Sequence, residues 1–252
     1  MLTKNQLNYF IQLSQKKFRD EYKKFVVEGH KLILEALTHG IECEVLLSTQ
    51  NYFKTNSTLF ENRFISKQEI HIIKKNELEK IADTKTPQEI IGIFHFPELA
   101  KIEYSKHKLL AVLENISDPG NLGTILRNCD WFGIKSVFAG IDCANVYNPK
   151  VIRASAGAIF HVNIFQNVNL INQIKELKKN GFTVLCADLN GKNIYEFIVP
   201  SKSAIIFSNE AHGPSKEMLA LSDYTITIPR KGKAESLNVA SASAILLSFL
   251  SK

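Results

Sequence analysis

Three short stretches in the second half of the chain place polar side chains directly after strand-like apolar runs. They are Asn121-Leu122-Gly123-Thr124-Ile125-Leu126-Arg127, Ser208-Asn209-Glu210-Ala211-His212-Gly213, and Ile228-Pro229-Arg230-Lys231-Gly232-Lys233-Ala234-Glu235-Ser236-Leu237-Asn238-Val239. In α/β proteins the crevice beyond the carboxyl ends of the strands is where ligands bind. Asn121 and Arg127 stand six residues apart at the start of a helix, about 120° apart around its axis. Asn121 suits an N-cap. Arg127 sits among Ile125, Leu126, Cys129, Trp131 and Phe132, and a guanidinium there wants a carboxylate or phosphate. A salt bridge inside the fold and a ligand contact stand equally open. Glu210, beside Asn209, can orient a ligand, pair with Arg127, or complement the N-terminus of the next helix. Gly213 permits a tight turn or a close ligand approach. In the third stretch Ser236 suits an N-cap, and the basic loop is either solvated surface or a cradle of N–H groups and cations for a ligand or RNA phosphate.

The elements that must hold these residues alternate strand and helix. Strand-like runs are Leu109–Leu113, Ser136–Ala139, Thr183–Ala187, Ala204–Phe207 and Tyr224–Ile228, with a further short run around Val162 to Phe165. Helical patterns fall between them, at Leu170 to Lys179 and at Pro214 to Leu221, with Pro214 fitting the first helical position. A closing helix begins near Ser236. Apolar strands alternating with helices imply a parallel sheet covered on both faces. The first half reads as a small α/β unit. A helix has its apolar face at Leu7, Phe10, Ile11 and Leu13, followed by a strand at Phe25–Gly29, a helix at His30–Thr38 stopped by His39-Gly40, and a strand at Glu44–Ser48. Arg63-Phe64-Ile65-Ser66, a helix around Glu77 to Ile81, and Ile90–Phe94 complete it. Residues 1–95 form this unit, 96–107 the linker, and 108–252 the second domain.

A chain of 252 residues, 45% hydrophobic and 22% charged, has material for one large core or two small ones. It has neither an apolar run of membrane-spanning length nor a signal-peptide core, which points to the cytoplasm. The turn after Leu113 lacks the Gly-x-Gly-x-x-Gly of a dinucleotide fold, and no phosphate loop ending in Gly-Lys-Ser/Thr occurs. Cys43, Cys129, Cys143 and Cys186 have no metal-ligand spacing, so no metal is expected. The net charge of +6 favours a polyanionic partner. The excess is shared: residues 1–108 carry 17 Lys/Arg against 14 Asp/Glu, the remainder 14 against 11. The basic cluster Lys16, Lys17, Arg19, Lys23 and Lys24 is the expected surface for such a partner.

In this order, and each at a strand end, the three stretches resemble the signature motifs of the SpoU branch of the SPOUT (TrmH-like) RNA methyltransferases. The resemblance covers 108–252 as the catalytic domain. Residues 1–95, above all Phe25-Val26-Val27-Glu28-Gly29-His30-Lys31-Leu32-Ile33-Leu34-Glu35-Ala36, resemble the small substrate-binding domain that often precedes it. The resemblance implies a parallel sheet with a deep trefoil knot, S-adenosylmethionine as cofactor, transfer of its methyl group to a ribose 2′-hydroxyl, and a homodimer with sites near its interface. By position, Leu185, Ala187, Ser208, Asn209, Gly213, Ile228 and Leu237 would contact cofactor. Arg127 would be the catalytic arginine, with Asn121, Glu210, Ser236 and Asn238 positioning it, the ribose and the cofactor. Ser208 departs from the glycine the family often carries there. By analogy of the first domain the target is ribosomal RNA, with transfer RNA as the alternative. An assembly factor that keeps the fold without catalysis is a second class, and a small-molecule α/β enzyme a third.

Overall fold

The computed structural model describes residues 2–209 and 213–252. Its strands are β1 (Lys24–Glu28), β2 (Cys43–Thr49), β3 (Ile70–Ile73), β4 (Ile90–His95), β5 (Leu109–Glu114), β6 (Ser136–Gly140), β7 (Asn163–Val168), β8 (Thr183–Asn193), β9 (Ser203–Ser208) and β10 (Tyr224–Thr227). The α-helices are α1 (Lys4–Gln12), α2 (Lys16–Tyr22), α3 (His30–Thr38), α4 (Gln50–Thr55), α5 (Ser57–Phe60), α6 (Lys75–Ile81), α7 (Pro119–Trp131), α8 (Pro149–Ser155), α9 (Leu170–Lys179), α10 (Lys216–Leu221) and α11 (Val239–Leu250). Two compact units result: 1–98 together with 147–160, and 99–146 together with 161–252. The segment Tyr147–Phe160, which the sequence boundaries group with the second domain, packs in the first unit through rings: Phe25 stacks on Tyr147 at 4.7 Å between centroids, and Phe96 on Tyr147 at 4.1 Å.

In the first unit the sheet order is β1-β4-β2-β3, antiparallel except for the parallel β2–β3 pair. Phe10 and Leu13, near the α1 end, and Leu78 and Ile81 of α6 pack with Val26, Val45, Leu47, Ile91 and Ile93, which alternate along their strands as the two-residue period requires. Arg63–Ser66 is not part of this sheet but a run of turns; Ile65 is buried there, and the third strand is Ile70–Ile73, in register with Leu46–Thr49.

The second unit carries a six-stranded, wholly parallel sheet in the order β10-β8-β9-β5-β6-β7. Leu110, Val112, Phe138, Val184, Cys186, Ala204 and Ile206 face α9 and α10 through Ile174, Leu177 and Met218. The alternate residues Ala111, Leu113, Ile205 and Phe207 are fully buried on the opposite side, where α7 and α11 pack together and α11 lies against β9. Both faces are covered, which is why the strands read as unbroken apolar runs.

Helix starts differ from the sequence reading in three places. Asp118 caps α7, accepting the Asn121 N–H at 2.8 Å, and Pro119 takes the first turn, so Asn121 lies inside the helix. Ser215, not Pro214, opens α10: its hydroxyl accepts the Met218 N–H. Asn238, not Ser236, caps α11, accepting from the N–H groups of Ala240 and Ser241 at 3.0 and 3.3 Å.

Candidate active site

Strands β10, β8 and β9 are neighbours, so their carboxyl ends and the loops leaving them lie side by side. The β8–β10 ladder pairs Cys186 with Thr225 and then Lys192 with Ile226. Residues 187–191 therefore loop out of the sheet. Gly191 returns the chain so close to β10 that an added Cβ would lie 2.5 Å from the Ile226 backbone, a contact only glycine allows. Leu185 is a core residue held between β9 and β10, whereas Ala187 is half-exposed at the start of the loop and Leu189 is exposed. Ile228 is half-buried and Leu237 exposed. Arg230 donates to the Ala234 carbonyl at 3.2 Å and closes the basic loop on itself.

Ser208 ends β9 opposite Glu114, the last residue of β5. Its hydroxyl donates to the Glu114 carboxylate at 2.8 Å, and the same oxygen accepts the Ser215 N–H at 3.1 Å. The serine is thus turned into the sheet edge and ties β5, β9 and the cap of α10 together. Ser208→Ala removes that donor, and an expected loss of about 1 kcal/mol lowers the melting temperature by roughly 2–4 °C in a chain of this size. Calorimetry of the two proteins measures it. Asn209 donates to the Asn115 carbonyl at 3.2 Å and approaches the Ser117 hydroxyl at 3.5 Å. Gly213 adopts φ +63°, with its N–H donating to the Asn209 carbonyl at 2.9 Å, and among the described residues nothing lies within 4 Å of where a Cβ would stand. The glycine serves the turn. Glu210, with Ala211 and His212, lies outside the described residues.

Asn238 and Asn121 meet. The Asn238 amide donates to the Asn121 side-chain oxygen at 3.0 Å across 117 residues of sequence. About two turns along α7, Asn128 donates to the Ala240 carbonyl and the Ser243 hydroxyl, both at 2.9 Å, locking the amino end of α11 to α7. The first and third stretches are therefore a single assembly, and Asn209 joins the second to the turn that precedes α7. Arg127 lies on the same helix, exposed, and forms no ion pair among the described residues. The salt bridge that its apolar neighbours suggested is absent there: Ile125, Leu126 and Cys129 face inward, whereas Arg127 and Trp131 are exposed and Phe132 is half-buried. Ser236 is exposed two residues ahead of the cap. Burial pushes the Cys129 and Cys186 thiols up to about 12, so neither supplies a thiolate near neutral pH.

In the first unit the basic cluster divides. Lys16, Lys17 and Lys23 are exposed. Arg19 is not on the surface: it is 2% exposed and donates to the carbonyls of Leu13 at 3.1 Å and Ser14 at 2.7 Å, closing the turn between α1 and α2. Lys24 is half-buried, 3.1 Å from Glu44 and over the Tyr9 ring. Sequence reading passed over Glu114, Leu189 and Gly191. The Asn190-Gly191 pair was the signal available for the loop; nothing marked Glu114 except its place at a strand end.

The second unit is thus an α/β domain with a six-stranded parallel sheet, in which an asparagine pair ties together two of the three polar stretches. Residues 108–248 match the model of the SpoU rRNA methylase family, and residues 4–92 that of the MRM3-like substrate-binding domain. The chain belongs to the SpoU methylase family. It is 33% identical to the 23S rRNA (guanosine(2553)-2′-O)-methyltransferase RlmP of Bacillus subtilis, over 95% of this chain and 93% of that one. A putative RNA methyltransferase of the TrmH family from Porphyromonas gingivalis superposes with a TM-score of 0.87 at 33% identity, over 99% of this chain and 98% of that one. The AdoMet-bound rRNA methyltransferase of Sinorhizobium meliloti superposes with a TM-score of 0.84 at 25% identity, over 99% and 95%.

Proposed function

We propose that this chain methylates a ribose 2′-hydroxyl of ribosomal RNA with S-adenosylmethionine as donor. The observation that carries the site assignment is the Asn238–Asn121 hydrogen bond, which unites two distant motifs, one of them on the helix that also carries Arg127. The residues present fit the cofactor. The 187–191 loop, Asn209 after β9 and the 228–238 loop leave three adjacent strand ends. Leu189, Ile228 and Leu237 offer apolar surface for a purine, and no pyrophosphate has to be held. Ala187, Ser208, Asn209, Gly213, Ile228 and Leu237 would line the site, with Leu185 behind them. When bound, the cofactor supplies a methyl carbon made electrophilic by sulfonium.

The chain's own task is to present the ribose oxygen. An arginine stays protonated at neutral pH, so Arg127 is unsuited to remove the hydroxyl proton. Its fork binds the neighbouring phosphate and stabilises negative charge growing on the 2′-oxygen. Asn121 and Asn238 hold each other, and Asn121 shares α7 with Arg127, so the pair fixes the helix that carries the guanidinium. Ser236 and Glu210 complete the positioning set.

Residues 1–95 act as the RNA-binding domain, 96–107 as the linker and 108–252 as the methyltransferase domain. The enzyme works as a homodimer in the cytoplasm. The groove lined by Phe132, Tyr195, Ala244, Ile245 and Phe249, with Tyr195 exposed, suits a second copy. Among the described residues, no helix is long and apolar enough to cross a membrane. Lys16, Lys17 and Lys23 contact RNA phosphates. Reversing all three charges weakens RNA affinity and flattens the slope of log affinity against log salt by about 2, at roughly 0.7 per single-strand phosphate; affinity measured across a salt series reads this, with cofactor binding unchanged. Incubation of the protein with labelled S-adenosylmethionine and separated ribosomal and transfer RNAs tests the target. Label in the ribosomal fraction is expected, and label in transfer RNA alone would select the alternative.

A further inference from the structure

The first unit contains a cavity of about 560 Å³, the size of a small-ligand site. It lies at the carboxyl ends of the parallel strands β2 and β3. Its polar lining is Thr49, Gln50, Asn51, Lys74, Lys75 and Glu89, and Ile72 and Ile73 form an apolar wall. Gln50, Asn51, Lys74 and Lys75 are exposed, and all lie outside the basic cluster on α2 and β1.

The backbone beside it is held in an unusual state. Glu89 has φ +57°, a conformation that residues other than glycine rarely adopt. Four contacts impose it. Its carbonyl accepts from the Thr49 N–H at 3.1 Å and the Ser48 hydroxyl at 3.4 Å, its carboxylate from the buried Thr49 hydroxyl at 2.5 Å, and Lys75 stands 3.6 Å away. Such conformations persist only where the surroundings over-determine them, and they cluster at binding sites. Here the result is an acceptor fixed at the cavity edge, facing two amides and two cations.

We infer that this cavity receives one unpaired nucleotide of the RNA, with its base against Ile72 and Ile73 and its flanking phosphates on Lys74 and Lys75. The inference rests on the reading of residues 1–95 as the RNA-binding domain. Side-chain amides and a carboxylate are the groups that read donors and acceptors on a base edge. Lysine ammonium groups hold phosphates without reading sequence. Sequence-specific RNA recognition works mainly on bases splayed out of a helix, which a concave site admits and a duplex cannot enter. An anion alone fits less well, because Glu89 would repel it.

The test uses the full chain without cofactor and two fluorescein-labelled probes, an unstructured oligoribonucleotide and a blunt RNA duplex. The wild type binds the strand more tightly than the duplex. The Gln50→Ala/Asn51→Ala double variant weakens strand binding about tenfold, the effect of losing two base-edge hydrogen bonds, and leaves the duplex unchanged. Lys74→Glu/Lys75→Glu flattens the salt dependence of strand binding by about 1.4, two contacts at roughly 0.7 each. Methyl NMR signals of Ile72 and Ile73 shift when the strand is added. Strand affinity within twofold of wild type in both variants, or still Ile72 and Ile73 signals on a strand-bound protein, would overturn the assignment. Binding is read without turnover. A chain that methylates RNA but shows no cavity effect therefore refutes the cavity alone. One that fills the cavity yet methylates nothing refutes the proposed reaction alone.

Discussion

Arg127→Ala lowers the rate of methyl transfer by a factor of about 10²–10³, the range seen when one donor to a developing oxyanion is removed. The fold is expected to survive intact. The side chain is exposed and holds no described ion pair, so its loss changes stability by no more than about 0.5 kcal/mol. Cofactor affinity stays near wild type, because Arg127 makes no described ion pair with the 187–191 or 228–238 loops at the β8 and β10 ends. Arg127→Lys keeps the charge and loses the planar fork, and falls between the two. Single-turnover kinetics with melting curves on the same samples separate the effects. A folded Arg127→Ala protein with undiminished transfer would remove the arginine from the mechanism.

Replacing Asn238 has the second largest effect, and two variants divide it. Asn238→Ala removes the α11 cap, an expected cost of about 1 kcal/mol, and also the donor to Asn121. Asn238→Asp keeps an equally good cap but has no N–H to give. A carboxylate oxygen then faces the Asn121 oxygen where an amide donated at 3.0 Å. The aspartate variant should therefore melt near wild type while its transfer rate falls about tenfold to a hundredfold, the scale of a small misplacement of reacting groups. Equal losses of stability and rate in both variants would make Asn238 a cap and nothing more.

Much of the fold was legible from periodicity. The helices His30–Thr38 and Leu170–Lys179 match their sequence bounds, and the unbroken apolar runs of β5, β6 and β9 foretold a sheet covered on both faces. What failed were local competitions. Asn121, Ser236 and Pro214 each suit a helix start, but Asp118, Asn238 and Ser215 make the hydrogen bonds, and only the folded backbone decides among neighbouring capping residues. Arg63–Ser66 has strand-like composition because Ile65 is buried, yet its chain turns. Arg19 looked like surface charge within a basic run; its position on α2 points it inward, where two carbonyls satisfy it.

At the site, the residue types were readable and their partnerships were not. No spacing connects Asn121 with Asn238, which meet only because α7 and α11 pack together. The departure at Ser208 could be seen in sequence, but its explanation lies in Glu114, which becomes its neighbour only through the β5–β9 pairing. The strand read from the sequence stops at Ala187; that the chain returns after 187–191 to pair with β10 again at Lys192 follows only from the folded register.

The most direct test of the proposed reaction is to incubate the protein with methyl-labelled S-adenosylmethionine and ribosomal RNA from cells lacking it, with the Arg127→Ala variant alongside, and to digest the RNA to nucleosides. The expected result is label in a single 2′-O-methylated nucleoside, accumulating about a hundredfold or more slowly with the variant. Label on a base, or equal label on the ribose with both proteins, would contradict it.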